Sequence, residues 1–599
     1  MTILADIKGL SKLYPWIRPS RGLLIAGIAF IPMISGVQVL LPLVLKWTID
    51  HGIVDRQPKI LIFGGLAFLG AVIMEYLFRS GQSVFTAIAV HRMIRSLRRH
   101  LITHVLGLSA GFHDRSLSGA MVTRATGDFD NLSESLNLGV LTAVVDCAVL
   151  IGIVIGMFAL NTNLAFLAIA TLPIVGWIIT AFSRALKGAM MKARKKIGIL
   201  NAYTQECLYG SSTIKLLTGE AAAAQKFNRL NVEYRNAQME SVVLDALMFA
   251  VLDGFAAIAI GFVFWIIVKQ WISDPAITLG ILVAFALYMQ QLFEPLKQLG
   301  NKMAMLQGAF TSIERIFTVL SEKSRVTGTI APPTLRGDLT FKDVTFRYLE
   351  VDQASEKAQP PTLKSVSFTM KAGESVALAG ATGSGKSTIV KLVTKLYSGY
   401  TGSITLDGID LATLDPQLLR MQLATVPQDI VLFNGTISFN IGLGLEGVSQ
   451  EDIENAARLV QATDFIDRLP GKFQFLVREQ GSNLSHGQRQ LIAFARALAR
   501  KPRIIILDEA TSSVDPECEA NIQKAIDTIL LGHSMIIVAH RLSTIKKCNK
   551  IVVMGAGSVL ETGSHDELMA TRGAYWNLYQ QGNGTDPESP AFSAVNPGS

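Results

Sequence analysis

Three stretches of the chain carry side chains whose types and spacing suit phosphate chemistry. Gly380-Ala-Thr-Gly-Ser-Gly-Lys-Ser-Thr388 follows the apolar run Ser375–Ala379 and leads into an apolar helical pattern. Strand, glycine-rich loop and helix in that order make a phosphate-binding loop. Its glycines let backbone N–H groups curl around phosphate, and the helix N-terminus adds positive potential. Lys386 can then reach the β- and γ-phosphates, and Ser387 offers a hydroxyl to Mg²⁺. A second apolar strand, Ile504–Leu507, ends in Asp508-Glu509. An acid at the end of a strand beside such a loop suits Mg²⁺, which assigns Asp508 to the metal. The adjacent Glu509 suits the general base that activates or positions water. A third strand, Ser534–Ala539, ends at His540, whose imidazole can hold γ-phosphate and water.

Between these lies Asn483-Leu-Ser-His-Gly-Gln-Arg-Gln490, followed by a helical pattern to about Arg500. Ser485 and Gly487 at a helix start make a second anion site. The chain holds one phosphate loop and one such site. Either the fold brings the two together on one nucleotide, or a second copy supplies one of them.

The elements that must position these residues are those of an α/β domain. After residue 338 short strands alternate with Gly-rich turns and helical patterns, and no apolar run is long enough to span a bilayer. The chain before about residue 300 is different. It holds six apolar runs, near 22–46, 59–85, 138–160, 164–183, 243–268 and 277–296, each long enough for the roughly 20 residues a hydrocarbon core requires. The first is too long for a secretory signal and lacks a small-residue cleavage site. Composition agrees: the chain is 50% hydrophobic and only 17% charged, with mean hydropathy +0.37. That argues against an ordinary soluble enzyme and excludes disorder as the main state.

The formal net charge is +8. The basic residues sit at membrane flanks, so nucleic acid is a poor explanation. Lys8, Lys12, Arg18 and Arg21 precede the first span. Arg92, Arg95, Arg98, Arg99, Arg115 and Arg124 lie between the second and third, and Arg184, Lys187, Lys192, Arg194, Lys195 and Lys196 between the fourth and fifth. The positive-inside rule puts both termini in the cytoplasm. The two basic connections are too long for simple loops. Their helical patterns predict helices running well past the membrane, with turns near Thr123–Asp130 and Tyr209–Ser212.

Residues 1–320 therefore read as a membrane domain, 321–338 as a polar linker broken by Pro332-Pro333, 339–581 as the nucleotide domain and 582–599 as a disordered tail. No peptidase-like segment stands ahead of the first span, so coupled peptide maturation is not expected. Cys147, Cys207, Cys518 and Cys548 are scattered, without metal or disulfide spacing, and read as reduced thiols.

In this order the motifs resemble those of ATP-binding-cassette transporters. The chain from about residue 10 to 580 is similar to an exporter-type (type IV) half-transporter, like the bacterial lipid A and multidrug exporters. The resemblance rests on Tyr348, Gly380–Thr388, Gln428, Leu484–Gln488, Asp508-Glu509, Ser512–Asp515 and His540. Phe112–Arg115 with Thr123–Asp130, and Asn201–Gly210, resemble the two coupling-helix regions. It implies a six-helix membrane domain joined to a RecA-like α/β cassette with a helical subdomain. It also implies a dimer that closes on two ATP molecules with Mg²⁺ and hydrolyses them to export or flip an amphiphile such as a lipid or drug.

The resemblance assigns ATP to Gly380, Thr382, Gly383, Ser384, Gly385, Lys386, Ser387 and Thr388, with Tyr348 stacked on adenine. Gln428 senses Mg²⁺ and γ-phosphate and links to the membrane half. Ser485, Gly487 and Gln488 belong to the signature that contacts the partner chain's γ-phosphate. Asp515 lies across the dimer interface, and Glu479 touches the opposite coupling helices. Catalysis falls to Glu509, His540 and Gln428, and metal binding to Ser387, Gln428 and Asp508. Two departures stand out: His486 replaces the usual glycine of the signature, and Glu350–Pro361 is longer than the usual hairpin. A homodimer is expected. Half of a heterodimer, an importer and an ATP-gated conduit are the alternatives.

Acids within spans are costly and mark function by default. Glu75 and Glu294 have Arg79 and Lys297 within a helical turn, so local pairing accounts for them. Asp146 and Asp253 have no cation nearby in sequence. Either they face an inward-open cavity and attract a cationic amphiphile, or each pairs with another helix.

Overall fold

The computed structural model describes residues 11–115, 118–273, 278–322, 328–348, 360–508, 523–527, 533–538 and 542–582. The chain divides into two compact units. One comprises Met1–Leu106 and Gly119–Ser321, and the other Gly107–Ser118 and Glu322–Ser599.

In the first unit apolar runs become long helices. In chain order these are α1 (Arg21–Thr48), α2 (Pro58–Leu106), then the short α3 (Ala110–Arg115), which is itself part of the second unit, and α4 (Ser118–Ala125), α5 (Gly127–Glu134) and α6 (Thr142–Leu160). They continue with α7 (Thr162–Ile169), α8 (Leu172–Tyr209), the short α9 (Ser211–Leu216), α10 (Glu220–Ser273) and α11 (Leu279–Ser321). Among the described residues, six helical stretches are long and apolar enough to cross a membrane: Tyr14–Val54, Pro58–Leu106, Met121–Leu160, Thr162–Tyr209, Glu220–Lys269 and Leu279–Gln298. Small residues let them approach closely. A Cβ on Gly64 of α2 would lie 2.1 Å from the Thr48 hydroxyl of α1. Phe285, Tyr288 and Met289 of α11 are fully buried among α6, α8 and α10 residues. Asp50, just past α1, accepts from the Thr278 hydroxyl at 2.8 Å and the Gly280 N–H at 2.9 Å, and so holds the start of α11.

The long connections do extend as helices, but the first reversal lies earlier than Thr123–Asp130. The unbroken α2 runs to Leu106, where Gly107 and Ser109 end it. By Phe129 and Asp130 the chain is already returning along α2. Arg98 Nη2 donates to Asp130 at 2.9 Å, and the Arg98 guanidinium lies 5.3 Å from the Phe129 ring centroid. The second reversal falls at Gly210, between α8 and α9. The arms leading to and from it are zipped by Lys196–Glu233 at 2.7 Å and Lys192–Glu240 at 3.1 Å.

The four acids singled out within the spans each have a partner among the described residues. Glu75 meets Arg79 at 3.0 Å, and Glu294 meets Lys297 at 3.5 Å. Asp146 of α6 pairs with Lys302, and Asp253 of α10 with Lys297. Both lysines belong to α11, far away in sequence. Of the two readings open to Asp146 and Asp253, pairing with another helix is the one observed: helix packing supplies the cations that local spacing could not show. The two pairs differ in access. Asp146 is 24% exposed and Asp253 62%.

The second unit is built on a six-stranded sheet in the order β12-β11-β3-β10-β9-β6 and a four-stranded antiparallel sheet, β2-β1-β4-β5. The strands are β1 (Leu339–Phe346), β2 (Leu363–Met370), β3 (Ser375–Gly380), β4 (Thr401–Leu406), β5 (Ile409–Asp410), β6 (Leu423–Val426), β7 (Gly435–Thr436), β8 (Leu476–Val477), β9 (Ile504–Asp508), β10 (Ser534–Val538), β11 (Lys550–Gly555) and β12 (Ser558–Gly563). Its helices include α12 (Lys386–Val393), α13 (Pro416–Gln422), α14 (Ile437–Gly442), α15 (Gln450–Leu459) and α16 (His486–Leu498). The central strands are apolar throughout because both faces are covered. Leu378, Ile506 and Val538 pack on one side, and Ala377, Leu507 and Ile537 on the other.

The linker is not a free tether from Gly328 onward. Asp407 accepts three backbone N–H groups, of Arg336, Gly337 and Asp338, at 2.7 to 3.1 Å. Gln422 of α13 accepts from Leu335 N–H at 2.8 Å and donates to the Pro333 carbonyl at 2.9 Å. The polar groups of Asp407 and Gln422 satisfy the linker's backbone.

Candidate nucleotide site

The strand register brings the chemistry to one edge of the six-stranded sheet. Leu378 of β3, Val538 of β10 and Asp508 of β9 lie level, and Leu507 pairs with Val426 of β6. The phosphate loop, Asp508 and the loop bearing Gln428 therefore all leave from carboxyl ends, where α/β sheets bind ligands. Val538 stands two residues before His540 in the chain. Glu509, Asp515 and His540 lie outside the described residues, as does nearly all of the Glu350–Pro361 segment.

After β3 the loop is curled by positive φ angles at Gly380, Gly383 and Gly385. Only glycine fits at Gly380, where a Cβ would lie 2.3 Å from the Met554 carbonyl. Lys386 is buried and donates to the carbonyls of Gly380 and Ala381 at 2.7 and 2.8 Å. Thr382 stands at the loop's tip, and Gly385 caps α12 without a side-chain hydrogen bond. Ser387 Oγ donates to Asp508 at 3.4 Å. Ser384 Oγ is buried with no hydrogen-bond partner among the described residues.

These features fit a nucleotide with its metal. The loop offers backbone donors with no side chain in the way, and an orphaned hydroxyl costs about 1–3 kcal/mol unless a ligand satisfies it. The hydroxyl of Ser387 beside the Asp508 carboxylate is the oxygen donor set that Mg²⁺ takes alongside phosphate oxygens. Beside the loop, the Tyr348 hydroxyl and Thr388 Oγ1 of α12 are 3.1 Å apart. This fastens a half-exposed ring, suited to stacking on a base, to the phosphate-binding helix.

At the second anion site Ser485 is the N-cap of α16. Its Oγ accepts from Gln488 N–H at 3.2 Å, and the Gln488 side chain accepts from Ser485 N–H at 3.0 Å. This reciprocal pair fixes the helix start and leaves the Ser485 O–H proton to donate. Gly487 is buried in the first turn. His486 is exposed beside it, and its Nδ1 accepts from Arg489 Nη2 at 3.4 Å, since a guanidinium can only donate. Glu479 is exposed in the preceding turn.

Sequence reasoning missed the pair that holds the Gln428 loop to α16. Arg496 donates to the Asn440 and Val431 carbonyls at 2.7 and 2.9 Å, and burial pushes its guanidinium pKa down. The fully buried Asn440 side chain clasps both the N–H and the carbonyl of Phe433 at 2.8 Å. An arginine set in the apolar run Leu491–Leu498 was the available signal, because such a charge must find buried acceptors.

Comparison with known proteins agrees with this geometry. Residues 24–296 match the family described as ABC transporter transmembrane region, and residues 363–512 the one described as ABC transporter. The chain is 33% identical over 573 residues to the uncharacterized ABC transporter ATP-binding protein YknV of Bacillus subtilis, covering 95% of this chain and 93% of that one. It is 32% identical over 572 residues to the ATP-dependent lipid A-core flippase of Escherichia coli K12, covering 95% and 97%. Among solved structures, a bacterial Atm1-family ABC exporter with ATP bound matches with TM-score 0.78 and 25% identity, over 95% of this chain and 99% of that one. Six apolar helices and a phosphate-loop cassette in one polypeptide, matched along nearly the whole length, place the chain in the ATP-binding-cassette transporter family as an ATPase-coupled transporter with the exporter fold.

Proposed function

We propose that the protein is a homodimeric exporter or flippase of the cytoplasmic membrane, with both termini in the cytoplasm. It moves an amphiphile, a lipid or a lipid-like drug, at the expense of ATP. The observation that carries this is the convergence of Lys386, Ser387, Asp508 and the Gln428 loop at one sheet edge, in a chain that also holds six spans. The amphiphilic cargo is drawn from relatives named as lipid A-core flippases.

Ser387 and Asp508 would hold Mg²⁺, with Gln428 beside them. When bound, that ion neutralises charge building on the β- and γ-phosphate oxygens. Lys386 turns from its own loop carbonyls to the phosphates, Tyr348 orients the base, and Glu509 accepts the proton of the attacking water with His540 beside it. Ser485, Gly487 and Gln488 of the second copy complete the site, with Asp515 at the seam. Closure on nucleotide and release after hydrolysis shift the membrane unit between two states. Of the two carboxylates weighed for cargo, Asp253 is the better contact for a cationic head group, because it shares Lys297 with Glu294 and is the more exposed.

The test is to purify the chain alone in lipid nanodiscs, measure its mass, and assay Mg²⁺-ATPase beside Glu509→Gln. A dimer whose activity vanishes in the variant, and which flips a labelled lipid in vesicles, is the expected result. A monomer or an inactive dimer would overturn the homodimer and point to a second half-transporter.

A further inference from the structure

The base-side tyrosine does not stand alone. The Tyr348 ring meets the Tyr397 ring edge-on, with centroids 5.0 Å apart at 86°, and both lean on Phe346 at 5.0 and 6.0 Å. Lys391, on the exposed side of α12, sets its ammonium 5.6 Å from the Tyr348 centroid and 5.5 Å from that of Tyr397. Both groups then meet one carboxylate. The Tyr397 hydroxyl donates to Asp114, and Lys391 Nζ lies 3.7 Å from it. Asp114 belongs to α3, within the Gly107–Ser118 stretch that links the second and third spans in sequence and packs as part of the cassette unit. The approach is close, since a Cβ on Gly111 would lie 3.2 Å from Tyr397 Cε1.

We propose that Tyr397 is a positioning residue that couples base occupancy at Tyr348 to the Gly107–Ser118 stretch through Asp114. The argument rests on the reading of Tyr348 as the base platform. A base stacked on one face of Tyr348 fixes that ring. The ring edge then fixes Tyr397, whose hydroxyl selects where Asp114 sits. Lys391 ties the three together, because a cation over two aromatic faces and beside a carboxylate is held by all of them. Coupling of this kind is reciprocal: whatever displaces Asp114 must also weaken base binding by the same factor. The phosphate loop is not part of this chain of contacts beyond the Tyr348–Thr388 bond, so a ligand with phosphates and no base does not engage it.

The test uses the full chain in nanodiscs, with Tyr397→Phe, Asp114→Asn and the double variant. Tyr397→Phe keeps the ring packing and deletes only the hydroxyl. Each single variant is expected to raise KM for ATP roughly fivefold with kcat little changed. The double variant should do no more than either single. The inhibition constant of tripolyphosphate, which has no base, should stay at the wild-type value in all three. Unchanged KM in both folded single variants, additive effects in the double, or equal weakening of tripolyphosphate would each overturn the relay. Tyr348→Ala separates the two levels. If it leaves KM for ATP unchanged, the base-platform reading has failed and the relay with it. If it raises KM while Tyr397→Phe and Asp114→Asn do not, the relay alone is wrong.

Discussion

Replacing Ser384 with alanine should move two measurements in opposite directions. The Ser384 hydroxyl is buried without a hydrogen-bond partner among the described residues, so that hydroxyl finds no acceptor in the folded loop itself. Its removal should stabilise the empty cassette by about 1 kcal/mol, the lower end of the cost of such an orphan. A phosphate oxygen in the loop gives that hydroxyl a charged acceptor, and a hydrogen bond to a charged group contributes about 1.5–3 kcal/mol. Ser384→Ala should therefore weaken ATP binding roughly 10- to 150-fold. At ATP a hundred times the wild-type Kd, ligand stabilisation is about 2.7 kcal/mol; a 30-fold weaker site retains about 0.9 kcal/mol. The assay is thermal or denaturant unfolding with and without ATP, in a Glu509→Gln background to prevent turnover. A variant less stable than its parent when empty, yet equally stabilised by ATP, would refute the assignment of this hydroxyl to phosphate.

Other outcomes follow from particular contacts. Lys302→Met alone should lower folded yield, because it strands Asp146 in a partly buried site at a cost of about 3 kcal/mol, and Asp146→Asn with Lys302→Met should restore it; fluorescence-detected size exclusion reads both. The Lys501 ammonium 2.6 Å away, with Ser449, holds the Asp452 carboxyl down at about 2. Its folded pKa is depressed, so its contribution is present above the ordinary range near 3.8 and is lost as pH falls toward 2. The stability gap between wild type and Asp452→Asn should thus be open at pH 6 and close by pH 2. Burial pushes the Cys548 thiol up to about 12, so maleimide at neutral pH should reach Cys207 and spare Cys548 until the protein is unfolded.

Local chemistry was legible in the sequence wherever a function demands a fixed spacing along the chain. The glycine pattern from Gly380 to Lys386 dictates the curl of one loop, so its residues could be named before any coordinates. The six spans were legible for a similar reason, since length and apolarity alone decide them. Pairings across the fold were not legible. Asp146 and Asp253 looked bare because their lysines are on α11. What holds the polar linker was not legible either, because its partners, Asp407 and Gln422, lie dozens of residues further on. The first reversal was misplaced because α2 keeps a helical pattern to Leu106, and only the return contact of Asp130 with Arg98 shows where the chain has already turned.

The same distinction explains why the cassette's coupling residues escaped notice while its chemical ones did not. On the proposed function, Ser387 and Asp508 are constrained by the ligand they would hold, and phosphate with its metal accepts few side chains. Tyr397, Lys391 and Asp114 are constrained by one another and by the rings they pack against, not by a ligand of fixed chemistry. Any set of an aromatic ring, a cation and a carboxylate that satisfies its own polar groups would serve there, so no fixed motif announces it. Arg496 and Asn440 follow the same rule: they join α16 to the loop after β6 through buried carbonyls that any sequence would present. A transporter of this fold can therefore keep one nucleotide chemistry while the contacts that read the bound nucleotide differ between members. In this chain, the perturbation to watch is KM for ATP when Asp114 changes, because that residue touches no phosphate loop group and moves the binding constant only if the aromatic pair transmits it.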